Sequence, residues 1–131
     1  QLVYITISTL GNGADFGDAI TTGSYRTACG NAVRGIIAGG YAPSSTNAIE
    51  FITITTLGNG TDFGDLTSVR GGTTGMSSST RAVFAGGRTP TEVNTIDYVQ
   101  IPSAGNAIDF GDLLSTVSNA GAVTNGHGGL G

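Results

Sequence analysis

Short runs of β-branched and aromatic residues, each cut off by glycine or proline, make up the apolar pattern of this chain. Ile49-Glu50-Phe51-Ile52-Thr53-Ile54-Thr55 is one such run and ends at Gly58-Asn59-Gly60, an Asn-Gly turn signal, which predicts a strand. Asp62-Phe63-Gly64-Asp65-Leu66 predicts a second short strand or a tight corner, its Phe buried and its Gly free to turn. Met76 to Thr80 predicts a third strand. Arg81-Ala82-Val83-Phe84-Ala85 predicts a fourth, halted by Gly86-Gly87 and the Pro90 loop. No window of ten or more positions carries apolar residues at the helical period, and Gly, Thr and Ser recur too often for a helix interior, so the expected class is all-β. In Phe51-Ile52-Thr53-Ile54 and Ala82-Val83-Phe84-Ala85 apolar residues point to both sides, so both faces of each sheet are expected to be covered.

The pattern repeats. Phe16, Phe63 and Phe110 stand 47 residues apart, each inside Asp-Phe-Gly-Asp, and residues 1–47 match residues 48–94 at 19 of 47 positions without a gap. A period of about 40 to 50 residues signals a propeller, a solenoid or a related array. The chain therefore reads as one domain over residues 1–131, with repeats 1–47, 48–94 and an incomplete 95–131. The missing part of the last repeat corresponds to residues 38–47 and 85–94, so the break falls in a loop. The stretch from Leu2 to Asp18 and the stretch from Val117 to Leu130 then read as two halves of one unit, whose pairing would hide the sheet edges. Three geometries satisfy this pattern: a pseudo-threefold monomer like a β-prism or trefoil, a two-chain ring of six blades with exchanged half-blades, and the C-terminal piece of a longer propeller. The first is preferred because the count of units comes out whole. Gln1 in place of Met, with no basic-then-apolar leader, leads us to expect a processed chain or one domain of a longer product.

Arg81-Ala82-Val83-Phe84-Ala85-Gly86-Gly87, a loop, and then Asn94-Thr95-Ile96-Asp97-Tyr98 resemble the kelch repeat, in which an apolar strand ends in a Gly-Gly doublet before a strand bearing an aromatic. Arg34 to Gly40 and Asn47 to Phe51 show it again. The family's Trp is absent from the chain, and Phe16, Phe63 and Phe110 are the candidates for its role. More narrowly, Gly-Asn-x-x-Asp-Phe-Gly-Asp-Leu together with Asn125-Gly126-His127-Gly128-Gly129-Leu130 resembles kelch-like repeat regions of tail-fibre-type structural proteins from phages of aquatic bacteria, cyanophages in particular. The resemblance covers nearly the whole chain. It implies a radial array of three four-stranded kelch-like repeats, propeller-like or prism-like, in a virion or extracellular protein that binds or builds and does not catalyse.

Composition narrows the partners. Only 11% of residues are charged, Lys is absent and the formal net charge is −4, so no basic stripe exists to neutralise a phosphate backbone and nucleic acid is not an expected partner. Apolar runs are far shorter than the roughly 18 to 20 residues a membrane span needs, and none is expected. A weakly charged surface favours close subunit contacts, hence self-association or contacts with other virion proteins. One Cys rules out an internal disulfide framework.

Among single residues, Asn12, Asp15 and Asp18 offer oxygens to Ca²⁺. A corner repeated in every unit is first of all architecture, however, with Asp side chains capping turn N–H groups and pairing with Arg34 or Arg81 across units. Asp15, Phe16, Asp18, Asp62, Phe63, Asp65, Asp109, Phe110, Asp112, Arg34 and Arg81 are therefore read as structural, and neither a metal nor another cofactor is expected. His127 and Cys29 have no partner base or acid that would make them catalytic. Cys29 aligns with Met76, which suggests an apolar slot. Leu10-Gly11-Asn12-Gly13 lacks the Lys of a phosphate loop, and Asn59-Gly60-Thr61 is read as a turn before a glycosylation site. Tyr4, Phe51 and Tyr98 share one repeat position and read as core.

Function is sought where the repeats differ. Tyr41 and Arg88 follow the two Gly-Gly doublets, while Tyr25 and Arg26 stand where the next repeat has Gly72 and Thr73. Loops gathered at one end of such an array are where scaffolds bind, and Tyr and Arg are enriched in binding hot spots. The expected protein is thus a non-enzymatic structural or attachment module, with a cell-surface receptor or glycan as candidate ligand. A lectin-like carbohydrate-binding module is the alternative.

Overall fold

The computed structural model describes residues 1–124. These hold ten strands and no helix: β1 (Leu2–Tyr4), β2 (Ala14–Gly17), β3 (Thr27–Gly30), β4 (Arg34–Ala38), β5 (Ala48–Thr53), β6 (Thr61–Asp65), β7 (Thr74–Ser77), β8 (Arg81–Ala85), β9 (Thr95–Gln100) and β10 (Ile108–Asp112). They form an antiparallel pair, β1–β2, and two four-stranded antiparallel meanders, β3–β4–β5–β6 and β7–β8–β9–β10. The third strand of the unit lies earlier than the Met76–Thr80 run suggests. Ser78 Oγ accepts hydrogen bonds from the amides of Thr80 and Arg81, so residues 78–80 are spent on a turn, as Asn31 Oδ1 holds the amides of Val33 and Arg34 between β3 and β4.

Sheets and sequence repeats are out of phase. Each meander takes two strands from one 47-residue repeat and two from the next, with residues 39–47 and 86–94 crossing inside a sheet. β1–β2 is correspondingly the second half of a sheet. Within the described residues it pairs with nothing else, and residues 117–124 hold no strand, so the expected pairing of the chain ends is not found there. His127 and the rest of that closing stretch lie outside the described residues.

One apolar cluster spans both meanders and includes Ile36, Ala38, Ile49, Phe63, Leu66, Ala82, Phe84 and Val99. Full burial of a side chain such as Phe84 or Ile36 contributes about 1.5–3 kcal/mol each. Cys29 packs half-buried against this cluster, and burial pushes its thiol up to about 12. Its proton is retained in the folded chain above the pH at which the unfolded chain loses it. The stability this represents is intact below the unfolded value and is lost as pH rises toward 12. Unfolding in urea across pH 9 to 12 is expected to show a decline in stability that Cys29→Ala lacks; parallel curves for the two proteins would refute it.

Neighbouring sheets are joined by one repeated device. In β2, β6 and β10 a bulge falls at Phe16, Phe63 and Phe110. Each ring meets Tyr4, Phe51 or Tyr98 edge to face, at centroid separations of 6.2, 6.0 and 5.9 Å. Across the junctions the Gly-Asn loop of the next sheet closes over the corner. Gly58 N donates to Phe16 O and Gly60 N to Asp18 O, while Asp18 N donates to Asn59 Oδ1 at 2.9 Å. The next junction copies this with Gly105, Ala107 and Asn106 on Phe63 and Asp65. Gly17 and Gly64 have positive φ, and a Cβ on either would run into the carbonyl of Gly58 or Gly105.

The same junctions bury charge. Glu50 of β5 pairs with Arg26 and accepts a hydrogen bond from Ile20 N, and Asp97 of β9 pairs with Arg70 at 2.5 Å and accepts from Thr67 N and Oγ1. Arg70, Asp97 and Glu50 are almost fully buried.

Candidate functional site

Four loops and one further segment meet at one end of the sheets. Residues 18–26 and 39–47 pair through Ser24 and Tyr41, whose backbones exchange hydrogen bonds of 3.0 and 2.9 Å. Residues 66–73 and 86–94 repeat the contact with Gly71 and Arg88. Consecutive repeats are then stitched together: Gly40 N donates to Arg70 O and Gly72 N to Tyr25 O, and, one repeat on, Gly87 N donates to Val117 O and Asn119 N to Gly72 O.

Tyr25, Gly72 and Asn119 therefore occupy one repeat position, and all three are left-handed, with φ of 57°, 67° and 54°. Gly72 does this without strain; Tyr25, a bulky residue, does not. Strain held at a particular side chain directs attention to what that side chain is for. Tyr25 lines a cleft of about 650 Å³ shared with Tyr41, Pro43, Val69, Arg88 and Asn119, within the size range of small-molecule sites. Both tyrosines are more than half exposed.

Of the four loop residues singled out from sequence, the structure brings Tyr25, Tyr41 and Arg88 to this cleft. Arg26 goes elsewhere: it points into the sheet junction, paired with Glu50 and donating to the carbonyls of Gly39 and Thr21. Arg88 is bonded through Nε to Pro90 O, which leaves its terminal nitrogens to the cleft. Arg34 and Arg81 do not pair with the Asp corners. Their guanidinium groups lie 4.5 and 4.9 Å from the ring centroids of Phe51 and Tyr98, where ring faces attract cations. Asp15 caps Gly17 N at 3.1 Å, and the Asp18 carboxylate lies 3.5 Å from the Gln1 ammonium. Asp62, Asp65, Asp109 and Asp112 are exposed, and among the described residues their carboxylates cap no backbone amide. The side-chain oxygens of Asn59 and Asn106, which stand at the repeat position of Asn12, accept hydrogen bonds from backbone amides across the junctions. Among the described residues no group of three or more His, Cys, Asp or Glu side chains is placed to hold a metal ion.

Asn119 and the buried trio Arg70, Glu50 and Asp97 were not anticipated. For Asn119 the signal was its register with Tyr25; for the acids it was their common position inside two otherwise apolar strands. Neither a scan against protein-family models nor a search of curated proteins gives a match to this chain.

Proposed function

We propose that the chain is a non-enzymatic structural and attachment module of a virion or an extracellular particle, built as a kelch-like radial array of sheets, which recognises its ligand in the Tyr25–Tyr41–Arg88 cleft. The observation that supports this reading is the convergence on one cleft of residues at which the repeats differ, one of them held in a strained backbone conformation that the neighbouring repeat gives to glycine. Two phenol rings supply flat apolar faces, and a planar guanidinium supplies paired donors for a carboxylate. Those are the requirements of a sugar with an acidic substituent, so a cell-surface glycan is the favoured ligand class. An array of neutral and acidic glycans tests it. Wild-type protein is expected to bind acidic members, and Tyr41→Ala or Arg88→Ala to weaken binding by about tenfold or more, with folding stability unchanged to within about 0.5 kcal/mol. Equal retention of both variants would refute the cleft as the site.

A further inference from the structure

We infer that Glu92 is the cleft's own competitor for Arg88 and that Ser118 holds it aside, so that the Arg88 guanidinium stands open to a carboxylate brought by a ligand. Ser118 is thereby a positioning residue and Glu92 a specificity-determining one. This rests on the reading of the cleft above and names what sets its selectivity.

Arg88 differs from the other four arginines of the chain. Arg26 and Arg70 are paired with Glu50 and Asp97. Arg34 donates from Nη1 to Ile101 O and lies over the Phe51 ring, and Arg81 lies over the ring of Tyr98. Arg88 engages only its Nε, which donates to Pro90 O at 3.0 Å; among the described residues its terminal nitrogens meet no acid, carbonyl or ring.

An acid is nevertheless at hand. Arg88 and Glu92 face each other across an antiparallel bridge, and both are exposed. Directly opposed residues of this kind have Cβ atoms about 4.5–5.5 Å apart, and opposite charges placed there attract. Among the described residues the two do not form an ion pair. The Glu92 carboxylate is engaged elsewhere: Ser118 Oγ donates to its Oε1 at 2.7 Å, the length of a charge-assisted hydrogen bond. Ser118 lines the cleft beside Asn119, and its backbone is fixed on both sides, by Val117 N on Val93 O and by Asn119 N on Gly72 O. The hydroxyl that draws Glu92 away is therefore held in place.

These residues enter the sequence together. In the preceding repeat the same bridge joins Tyr41 to Ser45, and the position that corresponds to Ser118 is Gly71. Ser45 and Gly71 are 26 residues apart, as are Glu92 and Ser118, but they supply neither the acid nor the hydroxyl. Only where the bridge carries arginine does it also carry an acid that could close on it, and only there does the next segment supply a donor for that acid. Freed from Ser118, the Glu92 carboxylate turns to Arg88, and a ligand carboxylate must then displace it.

The reaction of Arg88 with phenylglyoxal, followed by peptide mass spectrometry, reports whether the guanidinium is open. Ser118→Ala is expected to slow it by about two- to fivefold, the range an exposed ion pair can impose. Adding Glu92→Gln to Ser118→Ala is expected to restore the wild-type rate, because a neutral amide does not hold the guanidinium as a carboxylate does; a merely structural role for Ser118 would not be rescued in this way. Retention of acidic glycans is expected to follow the same order, falling in Ser118→Ala and recovering in the double variant. An unchanged phenylglyoxal rate in Ser118→Ala, or a slowing that persists with Glu92→Gln present, overturns the inference. A wild-type chain that retains no acidic glycan overturns the ligand reading instead, and the phenylglyoxal rates still decide whether Ser118 holds Glu92 off Arg88.

Discussion

Arg70→Ala is expected to destabilise the folded chain by about 3–5 kcal/mol, a large part of the roughly 5–15 kcal/mol that holds a domain together. Arg70 is wholly buried; besides its ion pair with Asp97 it donates 2.9 Å hydrogen bonds to Gly86 O and Thr95 O. Its removal strands a buried carboxylate that must still hold Thr67. Replacing both partners, Arg70→Met with Asp97→Leu, removes the unpaired charge and is expected to recover much of the loss, leaving the freed carbonyls and the Thr67 amide as the residual cost. Urea unfolding measures both. A single-variant loss below about 1 kcal/mol would mean that the pair is not buried as described.

The second large effect is at Gly64. Gly64 and Gly111 share a positive φ, 145° and 142°, so an alanine strains the backbone comparably at either position. Only at Gly64 does the new Cβ meet a carbonyl of the next sheet. Gly64→Ala is accordingly expected to cost about 1–3 kcal/mol more than Gly111→Ala, the usual range for forcing an extra methyl group into a packed contact. Equal losses at the two glycines would show that the loop at residues 103–107 does not close on β6.

What the sequence made legible follows from what repeats make legible. The strands are local, and local propensity decides them; the turn expected at Asn59-Gly60 instead falls at residues 54–56, right after β5, because Gly58 and Gly60 are spent on the junction with Phe16 and Asp18. A period, by contrast, does not reveal where the unit is cut. The sheets begin at β3 and β7, in mid-repeat, because hydrogen bonding runs continuously through the residue 39–47 and 86–94 loops and stops after β6 and β10. The buried ion pairs were hidden for a related reason. Arg26 and Arg70 are not at equivalent positions, so aligning the repeats sets Arg26 against Thr73 and Arg70 against Gly23, and neither looks like part of a pattern. Arg34 and Arg81, which do align, drew attention to the Asp corners on charge alone, whereas the aromatic at the Phe51 and Tyr98 position is their nearer neighbour. At the cleft, differences between repeats pointed to Tyr25, Tyr41 and Arg88. Arg26 failed as a cleft residue because one step along the chain from Tyr25 turns the side chain into the sheet junction.

The repeated junction is what joins one sheet to the next, and amide hydrogen exchange reads that junction residue by residue. The amides of Gly58, Gly60, Gly105 and Ala107 are expected to exchange slowly, as donors to the preceding sheet. Rapid exchange at Gly58 and Gly105 in the folded protein would contradict the account.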